Sequence, residues 1–148
     1  MMNISRSFRG AVIVSALAFV SMVARGENVT LKATLNAASE VPAKSSSGTG
    51  SLTGTLDTTT GELTYHVTFD GLTGPAAAAH FHGPAAPGAN AGPQVAVKTT
   101  PIVSPIDGTA TLTPAQIKDL TSGKWYFNIH TAANPGGEIR GQVMTDKQ

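Results

Sequence analysis

Two histidines one residue apart, in Ala79-His80-Phe81-His82-Gly83-Pro84, and a third in Asn128-Ile129-His130-Thr131, are the side chains of this chain best placed for chemistry. In a β-strand successive side chains point to opposite faces, so His80 and His82 share one face and Phe81 takes the other. The same parity separates His130 from Ile129. Each segment then gives an apolar side to a core and imidazoles to the opposite, outer side. Three imidazoles gathered there can hold copper or zinc at about 2.0 Å with a fourth position open, and with histidine as the ligand the Irving–Williams order favours Cu(II). The plainer alternative is that His80 and His82 hydrogen-bond carbonyls of segment 83–93, rich in glycine and proline, and pin that loop. His66, on the non-core side of its own strand, is a further candidate ligand.

No other motif carries chemistry of its own, and no residue is singled out as catalytic. There is no Gly-x-Ser-x-Gly elbow, no His-Glu-x-x-His, and no pair of carboxylates spaced for acid–base work. The chain has no cysteine, which removes thiol nucleophiles, Cys-based zinc sites, a blue-copper thiolate and an acylated N-terminal cysteine. Glu138 and Arg140 fall on one strand face and are expected to pair or to contact the Asn134 loop. Asn134-Pro135-Gly136-Gly137 reads as a turn.

The elements that must position these residues are short strands. Val29, Leu31, Ala33 and Leu35 alternate with Thr30, Lys32 and Thr34, and Leu63, Tyr65, Val67 and Phe69 alternate with Thr64, His66 and Thr68. Further strands are expected over residues 51–56, 76–81, 94–100, 107–112, 124–129 and 138–144, with Trp125 and Phe127 in the core and Tyr126 half exposed. One helix is expected over 113–122, with Thr113 as N-cap, Pro114 at the first position and Gln116 completing a capping box. Turn signals every 8 to 12 residues or so argue for an all-β fold, an antiparallel β-sandwich or flattened barrel with one short helix.

At 148 residues the chain fits one domain. Its start differs from the rest. Arg6 and Arg9 precede an apolar run over 10–23, and Ala24-Arg25-Gly26 offers small residues for cleavage, so residues 1–26 read as a secretory signal peptide and 27–148 as the mature domain. The run falls short of the ~20 residues that cross a bilayer. Of 10 basic residues, Arg6, Arg9 and Arg25 leave with the leader, so 7 face 9 acidic ones and the net charge becomes −2. No basic cluster remains for nucleic acid or an anionic membrane. The mature protein is expected in the periplasm or outside the cell.

Five blocks, in order, carry a family resemblance. They are Leu35-Asn36-Ala37-Ala38-Ser39-Glu40-Val41-Pro42, Gly71-Leu72-Thr73-Gly74, Ala79-His80-Phe81-His82-Gly83-Pro84-Ala85, Leu112-Thr113-Pro114-Ala115-Gln116, and Asn128-Ile129-His130-Thr131 through Pro135-Gly136-Gly137-Glu138-Ile139-Arg140-Gly141-Gln142. The chain resembles the CHRD (chordin-type) domain, which implies an immunoglobulin-like β fold and a secreted binding or interaction module, partnered by a metal ion or another envelope or extracellular protein. A fainter similarity is to the Cu,Zn superoxide dismutases, through Gly71-Leu72-Thr73, His80-Phe81-His82 and His130. It implies a superoxide-dismutase-like sandwich and the copper half of such a site, since segment 83–93 has no His or Asp to serve as bridging or zinc ligand. The functional alternatives are therefore a small copper redox enzyme or a structural envelope or matrix protein. Intact-mass measurement of the secreted product should give a chain beginning at Glu27, or within two residues of it; a full-length species held in the membrane would overturn the leader.

Overall fold

Alternation sets the strands. In β1 (Asn28–Asn36) the residues Val29, Leu31, Ala33 and Leu35 are buried while Thr30, Lys32 and Thr34 face solvent. The same pattern makes β2 (Thr49–Asp57) and β3 (Glu62–Asp70), and β4 (Ala76–His82), β5 (Pro93–Ala96), β6 (Ile106–Thr111), β7 (Trp125–Thr131) and β8 (Ile139–Thr145) follow. This computed structural model describes residues 26–146. The expected leader, apart from Gly26, lies outside the described residues.

Among the described residues all eight strands belong to one antiparallel sheet, in the order β5-β4-β7-β8-β1-β2-β3-β6. The sheet folds over on itself. Tyr65 of β3 meets Phe81 of β4 edge to face, ring centroids 5.1 Å apart, although these strands lie near opposite ends of the order. A single bridge from Ala76 to Ile102 brings the two ends almost together. The expected antiparallel sandwich or flattened barrel thus takes the form of one curled sheet whose halves share a core. One short helix, α1 (Pro114–Thr121), packs its Leu120 inward and carries the expected capping box between Thr113 and Gln116. Among the described residues no helix is long and apolar enough to cross a membrane.

Phe81 is the centre of the core. It is fully buried, with Phe127 at 4.8 Å and Trp125 at 6.0 Å between ring centroids, in addition to Tyr65. Edge-to-face pairs add to what area burial supplies. Parity follows from this anchor: with Phe81 inside, His80 and His82 must point outward, and a slip of one residue would exchange them. Gly83 ends the strand where a Cβ would sit 2.3 Å from Trp125 Cδ1, so only glycine lets the chain pass the indole.

Two facings differ from expectation. Phe69 is half-buried, because the end of β3 reaches the rim, where an open groove runs between Leu72 and Val103. Tyr126, expected half exposed, is 2 % exposed, because the 83–93 loop covers it. Replacing Phe81 by Ala should cost about 3 to 5 kcal/mol in urea unfolding; a loss below about 1 kcal/mol would mean that the aromatic cluster does not set the register.

Candidate metal centre

Pairing of β4 with β7 builds the site. His80 lies opposite Asn128, His82 opposite Tyr126 and Ala78 opposite His130. On β7 the outward residues Tyr126, Asn128 and His130 alternate with the inward Trp125, Phe127 and Ile129. Two strand faces thereby bring the three expected histidines together: His80 Nδ1 is 3.1 Å from His130 Nε2, and one ring nitrogen from each of His80, His82 and His130 lies within 4.8 Å of the others. His66 takes no part. It is exposed on β3, 2.7 Å from Asp107, outside this group.

Backbone carbonyls fix the tautomers. His82 Nδ1 lies 2.9 Å from Ala91 O and His130 Nδ1 lies 2.9 Å from Pro135 O. A carbonyl only accepts, so both Nδ1 atoms carry hydrogen, and in the neutral ring the lone pair is then on Nε2. His130 Nε2 accepts from His80 Nδ1–H. His82 Nε2 is buried and has no hydrogen-bond partner. Burial pushes the His80 imidazole below its ordinary pKa, and the charges of His130 and His82 push the same way. Burial also lowers that of His82; the Ala91 carbonyl opposes this, the charges of His130 and Arg140 add to it, and Asn128 opposes it. The neutral imidazole is the form in which histidine binds metal.

The loop over His82 is held by a layer of partners that spacing does not reveal. His82 stacks on Tyr126, planes within 4° and centroids 4.9 Å apart, and the Arg140 guanidinium lies 3.8 Å from the same ring. Tyr126 OH donates to Ala91 O at 3.1 Å and accepts from Ala91 N at 3.2 Å. Arg140 donates from Nη1 to Ala89 O at 3.0 Å, from Nη2 to Asn90 Oδ1 at 2.6 Å and from Nε to Glu40 Oε2 at 3.1 Å. Its partner is therefore Glu40, not Glu138 as strand parity implied. Nor is His82 an exposed imidazole on the outer face: it is 9 % exposed, because the loop closes over it. Glu40, Tyr126 and Asn128 are site residues beyond those expected from the sequence. For Tyr126 and Asn128 the signal was available, since both share the parity of His130; for Glu40, 100 residues from Arg140, there was none.

Glu138 precedes β8 and does something else. Its wholly buried carboxylate accepts from Ser46 Oγ at 2.6 Å, Thr73 N at 2.8 Å, Thr73 Oγ1 at 2.7 Å, Thr131 Oγ1 at 2.6 Å and Asn134 Nδ2 at 3.2 Å. The expected contact with the Asn134 loop is thus made, and it holds the turn that presents Pro135 O to His130. Gly137 in this turn has φ +122°, and a Cβ there would lie 2.3 Å from Glu40 Oε1. Burial pushes the Glu138 carboxyl up, but the bonds from Ser46, Thr131 and Thr73 outweigh it and bring its pKa to about 2.

Fold and site together define a small all-β binding domain with a histidine cluster under a pinned loop. The CHRD domain family model matches residues 31–143, and the chain belongs to that family. Searches of curated proteins and of solved structures return no match. A CHRD domain is a binding or interaction module, and its His80, His82 and His130 form a group able to hold a metal ion.

Because the Glu138 pKa is lower folded than free, the stability it contributes is complete above the ordinary glutamate pKa near 4.5 and is lost as pH falls toward 2. Glu138→Gln should cost about 1 to 3 kcal/mol at pH 7, since an amide NH2 would face donors. Urea titrations at several pH values should show wild type and variant converging across that acid window. A constant difference between them would contradict the assignment.

Proposed function

We propose that this chain is a secreted CHRD-type binding module that holds a copper ion, or failing that zinc, through His80, His82 and His130. The observation that carries the reading is the buried, unpartnered Nε2 of His82, facing two further imidazoles. A buried polar atom without a partner is costly, and an electron-pair acceptor at this point removes the cost. Copper ranks first because the three ligands are all imidazoles with no carboxylate among them. Bound there, the ion would supply a Lewis-acidic centre at the edge of the β4–β7 face.

The chain's own residues orient and shield. Ala91 O and Pro135 O set two tautomers, Tyr126 backs the His82 ring, and Arg140 closes the loop. Arg140 also bears on the choice between binding and turnover. A redox enzyme acting on a small anion needs a free cation at its mouth, whereas this side chain is 5 % exposed and its guanidinium is engaged through Nε, Nη1 and Nη2. That favours holding an ion over a dismutase-like reaction. A purely structural envelope protein would have no need of three imidazoles gathered at one point. The leader reading places the module in the periplasm or outside the cell, where another envelope or extracellular protein is the partner to expect.

Calorimetry on untagged protein should show one Cu(II) per chain. His80→Ala, which touches no loop carbonyl, and His82→Ala should each weaken binding by about 10- to 100-fold or more. His82→Ala should also lose about 1 to 3 kcal/mol of stability, because the Ala91 bond and the Tyr126 stack go with it. Copper affinity unchanged in both variants would sink the proposal and leave His82 as a loop pin.

A further inference from the structure

Asn128 stands at the middle of the site, opposite His80 on β4 and Arg140 on β8, and two residues from both Tyr126 and His130 on its own face. Its side chain is 1 % exposed, and its Oδ1 has no hydrogen-bond partner. Resting on the metal reading above, we propose that Asn128 supplies a fourth protein donor, its amide oxygen, and so makes this a site for a divalent ion, Cu(II) or Zn(II), rather than for cuprous copper.

The orientation of the amide is not arbitrary. Asn128 Nδ2 lies 3.5 Å from Glu40 Oε1. A carboxylate only accepts, so the NH2 faces Glu40 and the oxygen turns away. Glu40 is itself held by Arg140 Nε at 3.1 Å. The bare Cα of Gly137 leaves room for both, since a Cβ there would lie 2.3 Å from Glu40 Oε1 and 2.7 Å from Asn128 Nδ2. The Asn128 side chain lies beside His82, close enough for the two to interact.

Two of the unpartnered buried atoms among the described residues are therefore His82 Nε2 and Asn128 Oδ1, and both are electron-pair donors. With the His82 ring neutral, neither can satisfy the other. What satisfies both is a cation, or a water donating one hydrogen bond to each. The choice of ion follows from hardness. Cuprous copper is soft and gains little from an amide oxygen, whereas Cu(II) and Zn(II) accept oxygen beside imidazole. A carboxylate behind the amide NH2 raises the basicity of the oxygen, as second partners do for ligating histidines.

The test uses the full chain, untagged, with Cu(II), Zn(II) and Cu(I) each measured against competing chelators, and with the Cu(II) electron paramagnetic resonance spectrum recorded alongside. Asn128→Leu should weaken Cu(II) and Zn(II) by about 10- to 100-fold, leave Cu(I) within about 3-fold, and shift the parallel hyperfine splitting of Cu(II). Asn128→Asp, which keeps the shape and adds charge beside the metal while setting its second oxygen against Glu40, should still tighten Cu(II) by about 10-fold or more. Loss of Cu(I) and Cu(II) in equal measure overturns the proposal, as does an unchanged Cu(II) affinity and spectrum in Asn128→Leu, which would leave the amide oxygen to water. If Asn128→Leu does not fold, Asn128→Asp decides, and an unaltered affinity and spectrum there overturns it too. Binding that His82→Ala abolishes and Asn128→Leu spares removes this inference alone; a wild type that binds none of the three ions removes the histidine site with it.

Discussion

The buried pair of Glu40 and Arg140 is the constraint on which the outer face of β4, β7 and β8 depends. Their side chains are 1 % and 5 % exposed, so both charges have lost their water, and the attraction at 3.1 Å offsets part of that loss. The remaining guanidinium hydrogens reach Ala89 and Asn90, the guanidinium covers Tyr126, and the free carboxylate oxygen orients Asn128. An apolar pair of the same volume would solve the burial problem as well. It would not place a loop, an aromatic ring and an amide at once.

Sequence and structure agree where the physics is local. Parity alone put Phe81 inside and His80 and His82 outside, and the Thr113, Pro114 and Gln116 spacing located the helix start, because strand facing and helix capping are decided by neighbours a few residues away. The bulk of the core, from Leu63 and Val67 to Trp125 and Ile139, follows from the same rule. Parity fails where a second layer covers the outer face. It cannot say that the 83–93 loop folds back over His82 and Tyr126, nor that Arg140 prefers a carboxylate from the other end of the chain to Glu138 two residues away. In strand geometry Glu138 and Arg140 would be same-face neighbours, but Glu138 precedes β8 and is taken by Ser46, Thr73, Thr131 and Asn134.

Two readings of the histidines that compete in the sequence turn out to need each other. Pinning the loop uses His82 Nδ1, and that bond is what turns the lone pair of Nε2 toward His80 and His130. The loop carbonyl fixes the tautomer, and burial keeps the ring neutral. His130 repeats the arrangement with Pro135 O, on a turn anchored by Glu138. The carboxylate at 138 thus reaches the imidazole cluster through backbone alone.

The loop over the site is addressed almost entirely through its main chain. Gln94 bonds Gly83 O, Gln142 bonds Ala85 O, Arg140 bonds Ala89 O, and His82 and Tyr126 bond Ala91 O. The alanines there contribute carbonyls that any residue would contribute. The information that shapes this cover therefore resides largely in the strands beneath it, at positions 82, 94, 126, 140 and 142, and much of the cover is open to sequence drift; the exceptions are Gly83, which passes the indole of Trp125, Gly88 with its φ of +84°, and Asn90, whose side chain is read on both sides, by Arg140 and by Val41 O. A lineage could thus vary the outer surface of the loop, and with it whatever docks there, without disturbing the histidines it encloses.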